Sequence, residues 1–375
     1  MRLVFVTNTL NHHQIAVADE FYRSLGDNYR FIATLDFVDP KGGLESYSDR
    51  PYLICSYEGE DAMREAIDLI NEADVVIIGS SPDSLIKQRL QSNLLTFRYG
   101  ERWLKRRYKL LDYPRKFVAH TLNRGRNLYF LAASAFLAND MKYLFAYPNK
   151  CFRWGYFTNV EDIDIDSILS RKRDSRGRGI SMMWCSRFVA WKHPELPIKL
   201  AQRLKRDGYD FHIDMYGEGT ELSKIETLAE KLGVSDVVTF KGGVSNNQVV
   251  QAMRGHHIFL LTSDRNEGWG VVLNEAMSNG CVAVSSHMVG AAPYLITDKF
   301  NGRLFESGSV ESLYSTVKEL IVNRDLCDLY AKRAYTNMRE VWSAQNAVKQ
   351  FISLAESLLN KGKFSVAHGP CSIDK

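Results

Sequence analysis

The chain has 375 residues, 25% of them charged and 45% hydrophobic. That length suits two domains, and the composition excludes collagenous, disordered and disulfide-scaffold classes. The formal charge of +4, from 48 basic and 44 acidic residues, is too small over this length for a bulk nucleic-acid binder. Six cysteines, Cys55, Cys151, Cys185, Cys281, Cys327 and Cys371, show no CxxC spacing, so zinc and thioredoxin-type chemistry have no support. Scattered through apolar runs, they read as reduced thiols of a cytoplasmic protein.

Leu3–Val6 is a short apolar run closed by Thr7-Asn8-Thr9, the pattern of a buried strand. It is too short for a signal-peptide core. No apolar run approaches the ~18 residues that cross a bilayer, so any membrane contact is expected from the surface. Ile15–Leu25 has helical spacing and Gly26 stops it. Strand patterns at Arg30–Leu35, Tyr52–Cys55 and Val75–Ile78 alternate with helix patterns at Ala62–Asn71 and Ser84–Gln91. This rhythm predicts a parallel sheet covered on both faces. Leu128–Leu137 and Cys151–Phe157 end the first domain, residues 1–157. Residues 158–179 are charged and end in Arg/Gly, which reads as a linker.

The rhythm then restarts over 180–342. Strands are expected at Ile180–Cys185, Phe211–Tyr216, Val237–Phe240, Ile258–Thr262 and Val282–Ser285, with helices at Glu195–Arg206, Glu221–Leu232, Val249–Arg254 and Val271–Asn279. A last helix is expected over 343–360, and 361–375 reads as a flexible tail. The fold class is α/β, with two parallel-sheet, Rossmann-like domains.

The strongest chemical signal follows the strand ending at Thr262: Glu267-Gly268-Trp269-Gly270, four residues, then Glu275. A strand ends, a loop carries a carboxylate, and two glycines lead into a helix. Helix starts leave backbone N–H groups without intrahelical acceptors and attract anions. Glycines let a ligand approach the backbone. Parallel α/β sheets bind ligands beyond their strand carboxyl ends. Carboxylates for hydroxyls and amides for a phosphate are therefore offered together. Arg187 and Lys192 follow the first strand of this half, ahead of Pro194 at a helix start. Cations at such a point can stabilise negative charge on a bound anion.

Glu267-x7-Glu275 with its Gly-Trp-Gly resembles the E-x7-E signature of retaining GT-B glycosyltransferases of the family 4 type. Arg187-x4-Lys192 is similar to that family's Arg-x4-Lys, and the stretch from Met215 to Val250 is similar to its GxG…VxFxG region. Gly290-Ala-Ala-Pro293 and Asn301-Gly302 fall where its donor-domain loops fall. The resemblance covers about residues 180–340. NHHQ, GSSP, FRYGERW and WGYF in the first half look like a bacterial capsule, exopolysaccharide and lipopolysaccharide assembly subgroup.

The resemblance implies two facing Rossmann-like domains with an interdomain cleft, the first binding the acceptor and the second a UDP- or GDP-linked sugar. It implies that helix 343–360 packs back on the first domain. It implies transfer with retention, by front-side attack and without a divalent metal or other cofactor. Glu275 would hold the ribose and Glu267 the donor sugar's hydroxyls, near the 3-position. Amides around Gly268, Trp269 and Gly270 would fix sugar and phosphate, and Gly217, Lys241 and Gly242 would border the donor. The expected acceptor is a glycan or a polyprenyl-diphosphate-linked oligosaccharide, at the inner face of the plasma membrane. A catalytically silent, nucleotide-sugar-binding scaffold subunit is the alternative.

Three further features carry chemistry of their own. One of His12 and His13, after the first strand, is placed to meet a donor phosphate or the acceptor. Asp162-Ile-Asp164-Ile-Asp166 has a metal-binding DxD spacing, but a charged linker is the wrong place for it. Residues 101–126 carry nine Lys/Arg, including Arg102, Lys105, Arg106 and Arg107, among aromatic and aliphatic residues. That make-up fits a peripheral membrane surface or an anionic acceptor. A nucleic-acid role would use the same residues, but no recognition module accompanies them.

Overall fold

The computed structural model describes residues 1–36, 47–105, 112–174 and 179–374. It divides into two units: residues 1–159 with 341–375, and residues 160–340. In unit 1 seven strands form one sheet: β1 (Leu3–Thr7), β2 (Tyr29–Ala33), β3 (Leu53–Cys55), β4 (Val75–Ile78), β5 (Thr96–Gly100), β6 (Leu128–Ala132) and β7 (Cys151–Arg153). Their order is 3-2-1-4-5-6-7, and every ladder is parallel. In unit 2, β8 (Ile180–Cys185), β9 (Phe211–Tyr216), β10 (Val238–Gly242), β11 (Ile258–Leu261), β12 (Val282–Ser286) and β13 (Arg303–Phe305) form a second parallel sheet, ordered 10-9-8-11-12-13. Continuous apolar runs such as Val75–Ile78 and Ile258–Leu261 are buried at every position. A sheet covered on both faces requires that pattern.

In each sheet the strand order reverses beside the first strand, between β1 and β4 in unit 1 and between β8 and β11 in unit 2. At such a point the two flanking loops diverge to opposite faces and open a crevice for a ligand. The loops concerned are 8–14 and 79–86 in unit 1, and 186–192 and 262–270 in unit 2.

Two segments depart from the sequence reading. Residues 160–174 are not a linker. Helix Ile165–Asp174 buries Ile165, Ile168, Leu169 and Lys172, a stripe at i, i+3, i+4 and i+7. Apart from Lys172, charges that suggested a linker, such as Asp166 and Arg171, lie on its outer face. Of the DxD carboxylates, Asp162 pairs with Arg339 (2.5 Å) and Asp166 with Lys332 (2.8 Å), while Asp164 accepts the Ser167 amide (3.0 Å). Nor is the end of the chain loose. Arg153 N donates to Ser372 O (2.8 Å), and Cys371 N and Asp374 N donate to Arg153 O and Cys151 O (2.8 and 2.9 Å). The last residues thus satisfy the free edge of β7, and Cys371 is buried. Helix Ala344–Leu359 lies in unit 1, where Phe351 packs its ring on Phe21, Phe97 and Trp154.

Lys172 anchors helix Ile165–Asp174 within unit 2. Its buried ammonium donates to Gly280 O (2.6 Å) and Met253 O (3.4 Å), at the carboxyl ends of two helices. Burial pulls its pKa down, while carbonyl dipoles at helix ends favour the cation. Lys172→Met should lower unfolding stability by about 1–3 kcal/mol, the cost of buried carbonyls left without a donor. An unchanged urea midpoint would reduce Lys172 to a spacer.

Candidate functional site

The unit 2 crevice is built from backbone contacts between loops. Ser186 N and Phe188 N donate to Tyr216 O (3.1 Å) and Glu218 O (2.8 Å), so the loop after β9 lies flat on the loop after β8. Gly217, at φ +125°, makes this possible: a Cβ there would stand 2.0 Å from Ser186 O. Gly217 therefore shapes the loop that carries Arg187. Across the reversal point, Trp184 Nε1 donates to Thr262 Oγ1 (2.9 Å), Thr262 Oγ1 to Lys192 O (2.7 Å), and Asp264 N to Trp191 O (3.0 Å). These bonds join the loop after β8 to the loop after β11.

Lys192 and Glu267 meet at this junction. Their side chains form an ion pair and are each only 10% exposed. Ser263 Oγ donates to the same carboxylate (2.9 Å). Arg187 is exposed, with its guanidinium 5.9 Å from the Trp191 ring centroid; the Lys192 ammonium is 4.4 Å from the same centroid. The two cations thus share one aromatic platform. Sequence reasoning missed Trp191 and Ser263, although both lie inside the motifs it used. It also missed His193. His193 faces Glu195 (Nδ1, 3.0 Å) and Asp264 (Nε2, 3.4 Å), whose carboxylates raise its pKa. With a carboxylate facing each ring nitrogen, it ties the two loops together.

Glu275 stands in the short helix Val272–Ser278, which begins after Gly270 at φ +92°. Burial raises its pKa to about 7, against a hydrogen bond from Asn246 that lowers it. Asn246 opens the helix after β10, whose Ser245–Gln248 capping box fixes the turn. The Trp269 indole is only 1% exposed and donates to Asn274 Oδ1 (2.9 Å). Its side chain is core, so only its backbone can face a ligand. Lys241 is likewise committed. Its ammonium lies 3.3 Å from Asp214, which also faces His212 (2.7 Å) and His256 (3.2 Å). Burial alone would raise the Asp214 pKa; bonds from the two histidines and the charges of His256 and Lys241 outweigh it and bring it to about 2. Gly242, at φ +69°, has open space around its α-carbon.

His12 and His13 occupy the matching crevice of unit 1. Their rings are 3.7 Å apart, and His13 lies 5.7 Å from the Tyr156 ring. Burial first, then His12, lower the His13 pKa to about 4, so it is neutral at pH 7. Both Nδ1 atoms are buried without a hydrogen-bond partner among the described residues. Tyr156 Oη donates to Glu101 (3.0 Å), which places a carboxylate near the same crevice.

The basic segment is corrected. Arg102 is buried and donates twice to Asp140, from Nε (3.3 Å) and Nη2 (3.0 Å). Its charge is used inside unit 1, unlike that of an exposed basic residue at a membrane surface. Lys105 pairs with Glu101. Arg106 and Arg107 lie outside the described residues.

Two parallel sheets, each with its crevice at a strand-order reversal, and the basic–acidic pair in the second define the GT-B class of glycosyltransferase fold. The structure of Anabaena Alr3699/HepE in complex with UDP superimposes with a TM-score of 0.70 at 15% identity, covering 95% of this chain and 100% of that one. Residues 169–337 match the family described as Glycosyl transferases group 1. Similar curated proteins include the GDP-mannose-dependent alpha-(1-6)-phosphatidylinositol monomannoside mannosyltransferase of Mycobacterium tuberculosis, 27% identical over 165 residues (41% of this chain, 42% of that protein). Another is the poly(ribitol-phosphate) alpha-N-acetylglucosaminyltransferase of Staphylococcus aureus, 26% identical over 174 residues (46% and 34%). The chain thus spans less than half the length of these relatives.

Proposed function

We propose that this protein is a retaining hexosyltransferase that moves a sugar from a UDP- or GDP-linked donor to a glycan or lipid-linked oligosaccharide in bacterial surface-polysaccharide assembly. The observation that carries the reading is the Lys192–Glu267 pair at the unit 2 reversal point, with Arg187 on the same aromatic platform. In this reading unit 2 holds the donor. Glu275 accepts from ribose hydroxyls and Glu267 from sugar hydroxyls. Arg187 and Lys192 stabilise the negative charge that grows on the diphosphate as the bond from C1 to its oxygen breaks. The acceptor oxygen bonds to C1 on the face the diphosphate leaves, and the acceptor's proton passes to the departing phosphate oxygen. Two fixed cations supply the charge that a divalent ion supplies elsewhere, so transfer should persist in EDTA.

Unit 1 takes the acceptor. A neutral His13 suits a hydrogen bond to a hydroxyl better than an ion pair to a phosphate.

The test is a thermal-shift series with UDP, GDP and ADP. Selective binding raises the unfolding midpoint, by about 2.7 kcal/mol of stability at 100-fold excess over Kd. A protein indifferent to all three would overturn the donor assignment.

A further inference from the structure

Unit 1 has an open groove of about 650 Å³ between residues 83–91 and the helical segment that begins at Asp112. Among the described residues its lining carries four cations, Lys87, Arg98, Arg115 and Arg126, against one carboxylate, Asp83. Asp83 is already paired with Arg98 (2.6 Å). Arg98 is 8% exposed, and its buried Nε has no hydrogen-bond partner among the described residues. Between the cations the lining is apolar, with Leu90 and Val118. The groove therefore combines an excess of positive charge with a hydrocarbon floor.

The surface beside it is apolar where solvent should favour polar groups. Val118 is 58% exposed, Leu122 65%, Tyr143 67% and Phe145 71%. The helical segment and the 143–145 turn are joined, because Tyr113 Oη donates to Tyr143 O (2.7 Å) and Thr121 Oγ1 to Leu144 O (2.6 Å). The exposed groups thus lie on two segments that are bonded to each other, beside the groove. Large apolar groups next to Lys and Arg are the make-up of a surface that sits at a lipid headgroup layer. A protein partner would need matching acids and an apolar face; an anionic bilayer supplies phosphates and hydrocarbon at the same spacing everywhere.

We propose that this face of unit 1 docks on an anionic lipid bilayer, with Val118, Leu122, Tyr143 and Phe145 entering the interface and Lys87 and Arg115 holding lipid phosphates along the groove. The proposal is independent of the donor reading, since vesicle binding and nucleotide binding can each fail alone. It also moves the membrane contact away from Arg102 and Lys105, which the fold uses internally.

The test is co-sedimentation of the full chain with vesicles of phosphatidylcholine, with and without phosphatidylglycerol. The wild type should partition to the anionic vesicles only. Each surface cation contributes about 5-fold to partitioning, so Lys87→Ala with Arg115→Ala should weaken it about 30-fold. Val118→Asp with Leu122→Asp should abolish it. Both double variants change exposed side chains, and their unfolding midpoints should match the wild type. Equal binding to neutral vesicles, or variants that sediment like the wild type, would overturn the proposal. Release by inorganic phosphate, but not by chloride at the same ionic strength, would also overturn it, by showing a phosphate pocket and no bilayer contact.

Discussion

Replacing Lys192 with alanine should lower turnover by about 10²–10³-fold, the usual cost of losing one preorganised charge donor, and should also destabilise unit 2. The second effect follows from burial. Lys192 and Glu267 are each 10% exposed, and Ser263 is the other group that donates to the shared carboxylate oxygen. Removing one member of a buried pair leaves the other charge uncompensated, at a cost of about 3–5 kcal/mol. A fall in rate alone would therefore not separate catalysis from packing. Two further variants do. Lys192→Met with Glu267→Gln removes both charges and should recover most of the lost stability, because neutral isosteres often replace a buried pair without penalty; turnover should stay low. Arg187→Ala should lower turnover about 100-fold with no change in unfolding midpoint, because Arg187 is exposed and rests only against Trp191. Wild-type turnover in Lys192→Ala, measured at saturating donor, would return the pair to a purely structural role.

Strand existence and the motif were legible in the sequence for one reason. Both depend on short-range pattern: apolar runs of four to six residues, and carboxylates and cations at fixed offsets from strand ends. The sheet order was not legible, although it decides which loops adjoin. Only the reversal beside β8 explains why the segment from Arg187 to Lys192 meets the Glu267 loop across about 75 residues of chain. Side-chain direction was equally hidden. Trp269 and Lys241 lie within the matched motifs, yet one turns into the core and the other onto Asp214. Charge density misled twice, at residues 158–179 and at Arg102. In each case a helix or a buried carboxylate used the charge internally, and composition carries no record of pairing.

The pH response of Glu275 separates function from stability, because the two should move in opposite directions. Burial raises its carboxyl pKa from 4.5 to about 7. The folded protein therefore holds a proton that the unfolded chain releases between about pH 4.5 and 7, and stability falls as pH rises through that window. Above pH 7 the full penalty applies, of order 3 kcal/mol. Glu275→Gln removes the charge and keeps the shape. It should raise the unfolding midpoint of the empty protein at pH 8 and leave it nearly unchanged at pH 4.5. Ribose hydroxyls, on the proposed reading, need the ionised carboxylate as acceptor. Wild-type affinity for the cognate nucleotide should then rise several-fold from pH 6 to pH 8, approaching 10-fold per unit below the pKa. In Glu275→Gln affinity should be weaker and flat with pH. The stored penalty is what a binding site poised for its ligand would show: a group unfavourable to the empty fold and relieved by the substrate. A variant less stable than the wild type at pH 8 would show that the Glu275 carboxylate is held by partners in the fold. A wild-type affinity with no pH slope would remove Glu275 from the nucleotide.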